Sequence, residues 1–571
     1  MLARVVRKQD MATVMRESHA EHASGAGLKK VLGVRDLVSF GVSSTLGSGI
    51  FVTVGTIATL YSGPGLFLTF IVAGFGSLLS AYCYAEFASR LPVSGQSYTY
   101  CYVSLGELAA FLIGWLSFLS YSVATAAVAR GWANYVDCFV RAIRGSTLPS
   151  WLVNQPVEGF DGVISLSGLA AGLNVVCTVL ACFGVHESTR ISFILVVVNF
   201  GMMIAFSVYG AVVYGEFANL EPVAPFGVSG IIRGSGLAFF CCIGWELVCT
   251  LSEEVRNPAR DLPRGILGSL GAVTALYCAV CLTLCAMVPY GDISVGAPIA
   301  DAFKYHSDSF GYLIISLVCV TVCPPSVLTG LMGPPRVLYK MAKDGLLWEG
   351  LGRLNSHGAP AIATVICGSL SALLGGVLEF ESLASCCSAV TLFMFVVVCL
   401  GVIIVRANEA YQGLLPTQQM QQAKSRLGLS LVSFCLASFA FSLTQVASFN
   451  PHRAISYALG FVNLITGALV VHFFQVVELG RKKSVDTPIA THCQPLIIQS
   501  PKGGISALGK RGKKLFLCPL VPFLPLLAAW VDIVMMTSLG APGIGGLASM
   551  LISGLLVYFF YSVHHSKLGQ M

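Results

Sequence analysis

The chain has 571 residues, of which 55% are hydrophobic and only 11% charged, with a net charge of +7. This composition excludes a water-soluble globular domain and is that of a polytopic membrane protein. The basic excess belongs to loops on one side of the topology below, so it is not a nucleic-acid footprint.

Residues 1–30 are polar and mixed in charge, and are expected to form a disordered cytoplasmic N-terminus. About fourteen apolar runs follow, each of roughly 20 residues and long enough to cross about 30 Å of hydrocarbon. They lie at 35–58, 63–85, 103–128, 163–184, 190–214, 231–252, 266–288, 310–335, 361–379, 383–405, 429–448, 454–477, 515–538 and 542–563. With the N-terminus inside, only Arg130, Arg141, Arg144, Arg233, Lys304 and Arg453 among the 34 Lys and Arg fall outside, the expected positive-inside bias. An even number of spans returns residues 564–571 to the cytoplasm. The organisation expected is therefore an all-α membrane core over 31–405 (ten spans), two spans over 406–477, a basic cytoplasmic linker over 478–514 and a final pair over 515–563.

Two spans are interrupted. The first reads Gly41-Val42-Ser43-Ser44-Thr45-Leu46-Gly47-Ser48-Gly49-Ile50-Phe51, and the sixth reads Phe239-Phe240-Cys241-Cys242-Ile243-Gly244-Trp245-Glu246. Hydrocarbon cannot satisfy free backbone, so unwound helix at membrane depth must line a cavity or a binding site. Matched breaks in two halves of a chain are a sequence pointer to the substrate site of a secondary transporter.

The first break, together with Cys83-Tyr84-Ala85-Glu86-Phe87 and the stretch Ser97–Leu108, resembles the cationic amino acid transporter family of the amino acid–polyamine–organocation superfamily. Ser252-Glu253-Glu254-Val255-Arg256-Asn257-Pro258, the stretch Pro335–Leu347 and the run around Pro519–Pro525 extend the resemblance to nearly the whole chain from residue 31. It implies a five-plus-five inverted repeat with discontinuous helices 1 and 6, and secondary transport of amino acids, cationic ones such as arginine, lysine and ornithine, by alternating access. Two other readings stay open: a neutral or broad-range exchanger of the light-chain type, or an amino acid receptor that kept the fold.

The site chemistry follows from the breaks. The half-helix starting after the first break presents free N–H groups and a positive dipole end, which favour a carboxylate. Gly47, Ser48, Gly49 and Ile50 are therefore assigned to the substrate carboxylate. Thr45 with Phe240, Cys241 and Ile243, matching the family's site, are assigned to the α-ammonium through carbonyls. Trp245 is a candidate gate or guanidinium-stacking ring. Glu246 is an intramembrane acid and hence a candidate for a cationic side chain or a proton. Small residues of this kind also let helices pack closely, and an acid here also serves local backbone. Phe193 stands where the wider superfamily often places a lysine, and helix 3 carries Leu116 and Ser120, with no acid at mid-membrane.

The remaining signals read as structural. The 20 cysteines, including Cys278, Cys281 and Cys285, lack histidines at ligand spacing and behave as small hydrophobes. Cys138 is expected to be the sole cysteine of an outer loop. Pro324 and Pro325 are expected to bend or break the eighth span. Glu253, Glu254, Arg256, Arg260 and Arg264 facing Arg336, Lys340, Lys343 and Asp344 are expected to form a charged inner gate, and Glu86 and Glu107 to pair with Arg90. No nucleophile–base pair, phosphate loop, metal cluster or cofactor motif is present, so the expected ligands are an amino acid and membrane lipid. No nucleic acid, cofactor or obligatory protein partner is expected, and the plasma membrane is the expected location.

Overall fold

A computed structural model describes residues 7–8, 32–47, 49–93, 96–159, 163–182, 189–355, 360–411, 417–446, 453–485 and 515–567. Ser48, most of residues 1–30 and the linker beyond Val485 lie outside this set.

The helices in chain order are α1 (Val34–Thr45), α2 (Gly49–Ile57), α3 (Leu66–Arg90), α4 (Gln96–Ser104), α5 (Glu107–Arg144), α6 (Ser150–Val153), α7 (Gly168–Cys182) and α8 (Thr189–Val213). They continue as α9 (Gly227–Ala238), α10 (Pro258–Met287), α11 (Pro298–Tyr305), α12 (Ser309–Lys343), α13 (Ala361–Val377), α14 (Phe380–Tyr411), α15 (Thr417–Val446), α16 (Arg453–Val485), α17 (Phe523–Ser538) and α18 (Gly540–Val557). A two-stranded antiparallel pair, Gln155–Pro156 with Ser165–Leu166, closes the loop before α7. Each apolar run of the sequence falls on one of these helices. Nine stretches among the described residues are long and apolar enough to cross a membrane, one of them (Gly49–Arg90) joining α2 to α3. Four more apolar helices are shorter. The protein is thus an all-α multi-pass membrane protein, while the count of fourteen crossings remains an expectation. The last crossing before the linker runs on as helix to Val485, into the segment expected to be linker.

Both breaks are seen. α1 starts behind Gly33, whose N–H is held by the Asp36 carboxylate at 2.9 Å, an acid placed where the helix dipole favours it. At its end Leu46 N–H still bonds Val42 O at 2.8 Å, but Gly47 N–H turns back onto Thr45 O at 2.8 Å. The Ser43 carbonyl thereby loses its usual donor four residues on. In the sixth span, α9 tightens into a 3-10 turn over Phe239–Cys242. The chain is extended at Ile243, reverses at Gly244 (φ +118°) and resumes as a 3-10 helix over Trp245–Glu254. The far ends of the two broken spans are joined: Leu32 N–H bonds Glu254 O at 3.0 Å and Arg256 N–H bonds Leu32 O at 3.1 Å.

α5 and α12, of 38 and 35 residues, pack along each other. At 1.5 Å per residue they are about 57 and about 53 Å long, so both project beyond the hydrocarbon. α12 runs unbroken through Pro324 and Pro325, against the expected break. Pro324 has no N–H for the Val320 carbonyl, and Trp132 Nε1 from α5 supplies the missing bond at 2.9 Å. α10 packs on α1 and α3, and its Tyr277 hydroxyl donates to Thr45 O at 3.0 Å, steadying the first break.

Three buried carboxylates tie the C-terminal pair to this core. Glu86 accepts from Arg406 at 2.7 and 2.9 Å, pairs with Arg90 at 2.8 Å and accepts the Cys518 N–H at 2.8 Å. Asp532 on α17 accepts from Ser80 at 2.7 Å. Glu107 accepts from Tyr558 at 3.2 Å and Ser566 at 2.7 Å, and so does not serve Arg90, whose second partner is Glu409. The expected gate of opposed charges is likewise replaced: Val255 pairs with Leu32, Asp344 accepts from Tyr98 at 2.7 Å, and the ion pair seen there, Arg260–Asp261 at 4.0 Å, lies within one stretch.

Candidate substrate site at the two helix breaks

The two breaks touch. A Cβ built on Gly49 would lie 3.1 Å from the Phe240 ring and 3.3 Å from Cys241 Sγ, and one on Gly244 only 2.3 Å from the Ser44 carbonyl oxygen. Gly244 is therefore required twice, for its positive φ and for the close passage of the α1 terminus. Thr53, one turn into α2, bonds Gly49 O at 2.9 Å and meets Cys241 Sγ at 2.9 Å.

Where they meet, a cavity of about 130 Å³ opens. Its wall comes from the end of α1 and start of α2 (Ser43–Gly47, Gly49), the sixth-span break (Phe240, Cys241, Ile243, Gly244, Leu247), and faces of α5, α8 and α12. No Asp, Glu, Lys, Arg or His is among the described lining residues. The lining lies mostly on the α1 side of the break. On the α2 side, Tyr135 donates to Phe51 O at 2.6 Å with their rings edge to face at 5.9 Å, and Phe240 packs edge to face on Phe380.

Of the residues singled out in the sequence, Thr45, Gly47, Gly49, Phe240, Cys241 and Ile243 line this cavity. Ser48 lies outside the described residues. Ile50 is fully buried beside the wall and is not part of the lining. The Thr45 carbonyl already accepts two bonds, from Tyr277 and from Gly47, so it has little capacity left for an ammonium. Trp245 is set back, fully buried between Tyr84 and Phe395 with ring centroids 5.2 and 5.1 Å away. Its surroundings are aromatic packing, and a stacking role on a ligand would require it to move.

Glu246 also stands behind the wall. One carboxylate oxygen accepts Gly244 N–H at 2.8 Å, satisfying a donor that the reversed backbone would otherwise leave bare. The other accepts the Tyr121 hydroxyl at 3.1 Å, and Tyr121 lines the cavity. Because that hydroxyl spends its hydrogen on Glu246, the Tyr121 oxygen can only accept from whatever occupies the cavity. The acid thus reaches the cavity through one phenol.

Sequence reading missed Tyr121 and Asn199. Asn199 is on α8, 1% exposed, lines the cavity, and its Oδ1 has no hydrogen-bond partner. The one local signal is an amide ending the apolar run 194–198, and nothing in that run shows which way it faces. Phe193 lies on the same helix, with its side chain outside the described residues. Cys138, expected in an outer loop, is instead on α5 and only 5% exposed. Among the described residues all cysteines are free, and no group of His, Cys, Asp or Glu is disposed to hold a metal ion.

The chain is similar to known proteins along nearly its whole length. Residues 32–471 match the amino acid permease family, and residues 516–566 match the family described as C-terminus of AA_permease. It is 30% identical to the vacuolar cationic amino acid transporter 2 of Arabidopsis thaliana, over 99% of this chain and 93% of that protein. It is 29% identical to cationic amino acid transporter 4 of Homo sapiens, over 100% of this chain and 92% of that protein. The branched-chain amino acid permease BcaP of Bacillus subtilis is 35% identical over 72% of this chain and 87% of its own. With a fold of interrupted spans around a midplane cavity, this chain belongs to the amino acid permease family, as a divergent member of its cationic amino acid transporter branch, and transports amino acids.

Proposed function

We propose that the protein carries cationic amino acids, lysine and arginine foremost, by facilitated uptake or exchange through alternating access, without chemical change to the substrate. The observation that carries this reading is the single cavity at which both helix breaks meet. The substrate carboxylate would sit on the N–H groups of Gly47, Ser48, Gly49 and Ile50 at the start of α2, where the dipole end favours an anion. The α-ammonium would sit on carbonyls of the sixth-span break around Phe240, Cys241 and Ile243. Glu246, bonded to Tyr121, gives the wall a negative bias that favours a cationic side chain. The named activities of the plant and human relatives favour the same class.

We place the protein in the plasma membrane with both termini cytoplasmic, on the distribution of the 34 Lys and Arg, and with no obligatory protein partner. In that orientation the cavity, lined from the α1 side, faces the cytoplasm, and closure of the Ser43–Gly47 and Leu247–Glu254 segments would complete the alternate state. Purified protein in liposomes loaded with lysine is expected to take up labelled lysine and arginine saturably. The assay is run with a panel of neutral amino acids, with and without sodium and a proton gradient. Absence of exchange for every amino acid tested would sink the reading, and exchange of neutral ones alone would remove the cationic preference.

A further inference from the structure

We propose that Asn199 is a specificity residue, receiving the hydrogen-bond-donating end of the substrate side chain opposite Tyr121. This rests on the reading of the cavity as an amino acid site and adds the partner of its distal end.

Asn199 breaks an otherwise apolar run on α8, at residues 194–198, and its side chain is nine-tenths and more buried. Its amide lines the cavity with Oδ1 unpaired. A buried amide oxygen without a donor is unfavourable, so the position is stable only when the cavity holds something that donates. Across the same cavity Tyr121 has its hydrogen committed to Glu246, leaving a second acceptor. Two acceptors, one of them backed by a carboxylate, face a volume that contains no donor-bearing Lys or Arg. An ammonium brings three donors and a guanidinium five, so either can bond both acceptors at once. In the empty state water can fill this role, since about 130 Å³ is several times the roughly 30 Å³ that a water claims in the liquid. A side chain that displaces the water without donating leaves Oδ1 bare, and sites of this kind reject such analogues strongly. Norleucine, the apolar counterpart of lysine, is the direct probe.

The test measures KM and maximal rate for lysine, norleucine and alanine in liposomes, for the unchanged protein, Asn199→Leu and Asn199→Asp. Asn199→Leu is expected to raise the lysine KM at least about tenfold, about 1.4 kcal/mol, while the alanine KM stays within about twofold. Asn199→Asp is expected to lower the lysine KM and leave norleucine unchanged. The proposal is overturned if Asn199→Leu leaves the lysine KM unaltered or shifts lysine and alanine together. Should Asn199→Leu lose all exchange through misfolding, Asn199→Asp decides: an unaltered lysine-to-norleucine ratio overturns the proposal. Lysine exchange that is normal in the unchanged protein and indifferent to residue 199 defeats this assignment while leaving the carrier reading intact. Failure of the unchanged protein to exchange any amino acid defeats both.

Discussion

Trp132 donates its indole Nε1–H to the Val320 carbonyl at 2.9 Å, the carbonyl left without its helical partner by Pro324. A neighbouring helix thus completes α12 where the chain itself cannot, which is how prolines are accommodated within membrane helices. Trp132→Phe keeps the aromatic bulk and strands that carbonyl, so a loss of about 1–3 kcal/mol in stability is expected. Restoring the amide with Pro324→Ala in the Trp132→Phe background should recover most of it. Thermal unfolding in detergent of both single variants and the double variant gives the coupling; additive effects would disprove the relationship.

Gly244→Ala places a Cβ 2.3 Å from Ser44 O at a φ of +118°, and Gly49→Leu drives a side chain into Phe240. Both are expected to cut lysine exchange at least about tenfold, since strain of this kind costs about 1–3 kcal/mol before the clash is counted. Gly271→Ala in α10, where nothing lies within 4 Å, is the control and should leave exchange unchanged. Full exchange by Gly49→Leu would remove the carboxylate site from the first break.

Glu246 separates charge from hydrogen bonding. Glu246→Gln can still accept the Gly244 N–H but loses the charge behind Tyr121, so the lysine KM should rise at least about fivefold with alanine exchange retained. Glu246→Ala leaves the Gly244 N–H without its acceptor and should depress exchange of both substrates. Equal lysine-to-alanine preference in Glu246→Gln and the unchanged protein would confine Glu246 to a structural role.

Asp344, just beyond the end of α12, is the group from which a pH dependence follows. Burial raises its carboxyl above the usual carboxylate range, and the Tyr98 hydroxyl and nearby Lys340 only partly offset this. A raised value means that the folded state favours the protonated form relative to the unfolded chain. The contribution of Asp344 is then fully present below about pH 3.9 and is lost as pH rises through the raised value. Asp344→Asn, which stays neutral, should therefore gain thermal stability relative to the unchanged protein as pH increases from about 4 to about 7. A stability difference that is flat across that range would contradict the sign.

The sequence by itself determined where the helices lie and where two of them come apart. Hydropathy runs and glycine interruptions act locally, and a bilayer permits free backbone only at cavities, so Gly47, Gly49 and Gly244 were legible without a fold. Most of the cavity wall from the breaks was legible for the same reason. Only the tertiary structure decided what faces that wall. Asn199 is one amide at the end of an apolar run until α8 turns it inward, and Glu246 acts through Tyr121, which comes from another helix. The unbroken course of α12 depends on Trp132, and the burial of Cys138 depends on the length of α5. In each case the deciding partner is remote in sequence, and an apolar helix carries no mark of which side its neighbour will take.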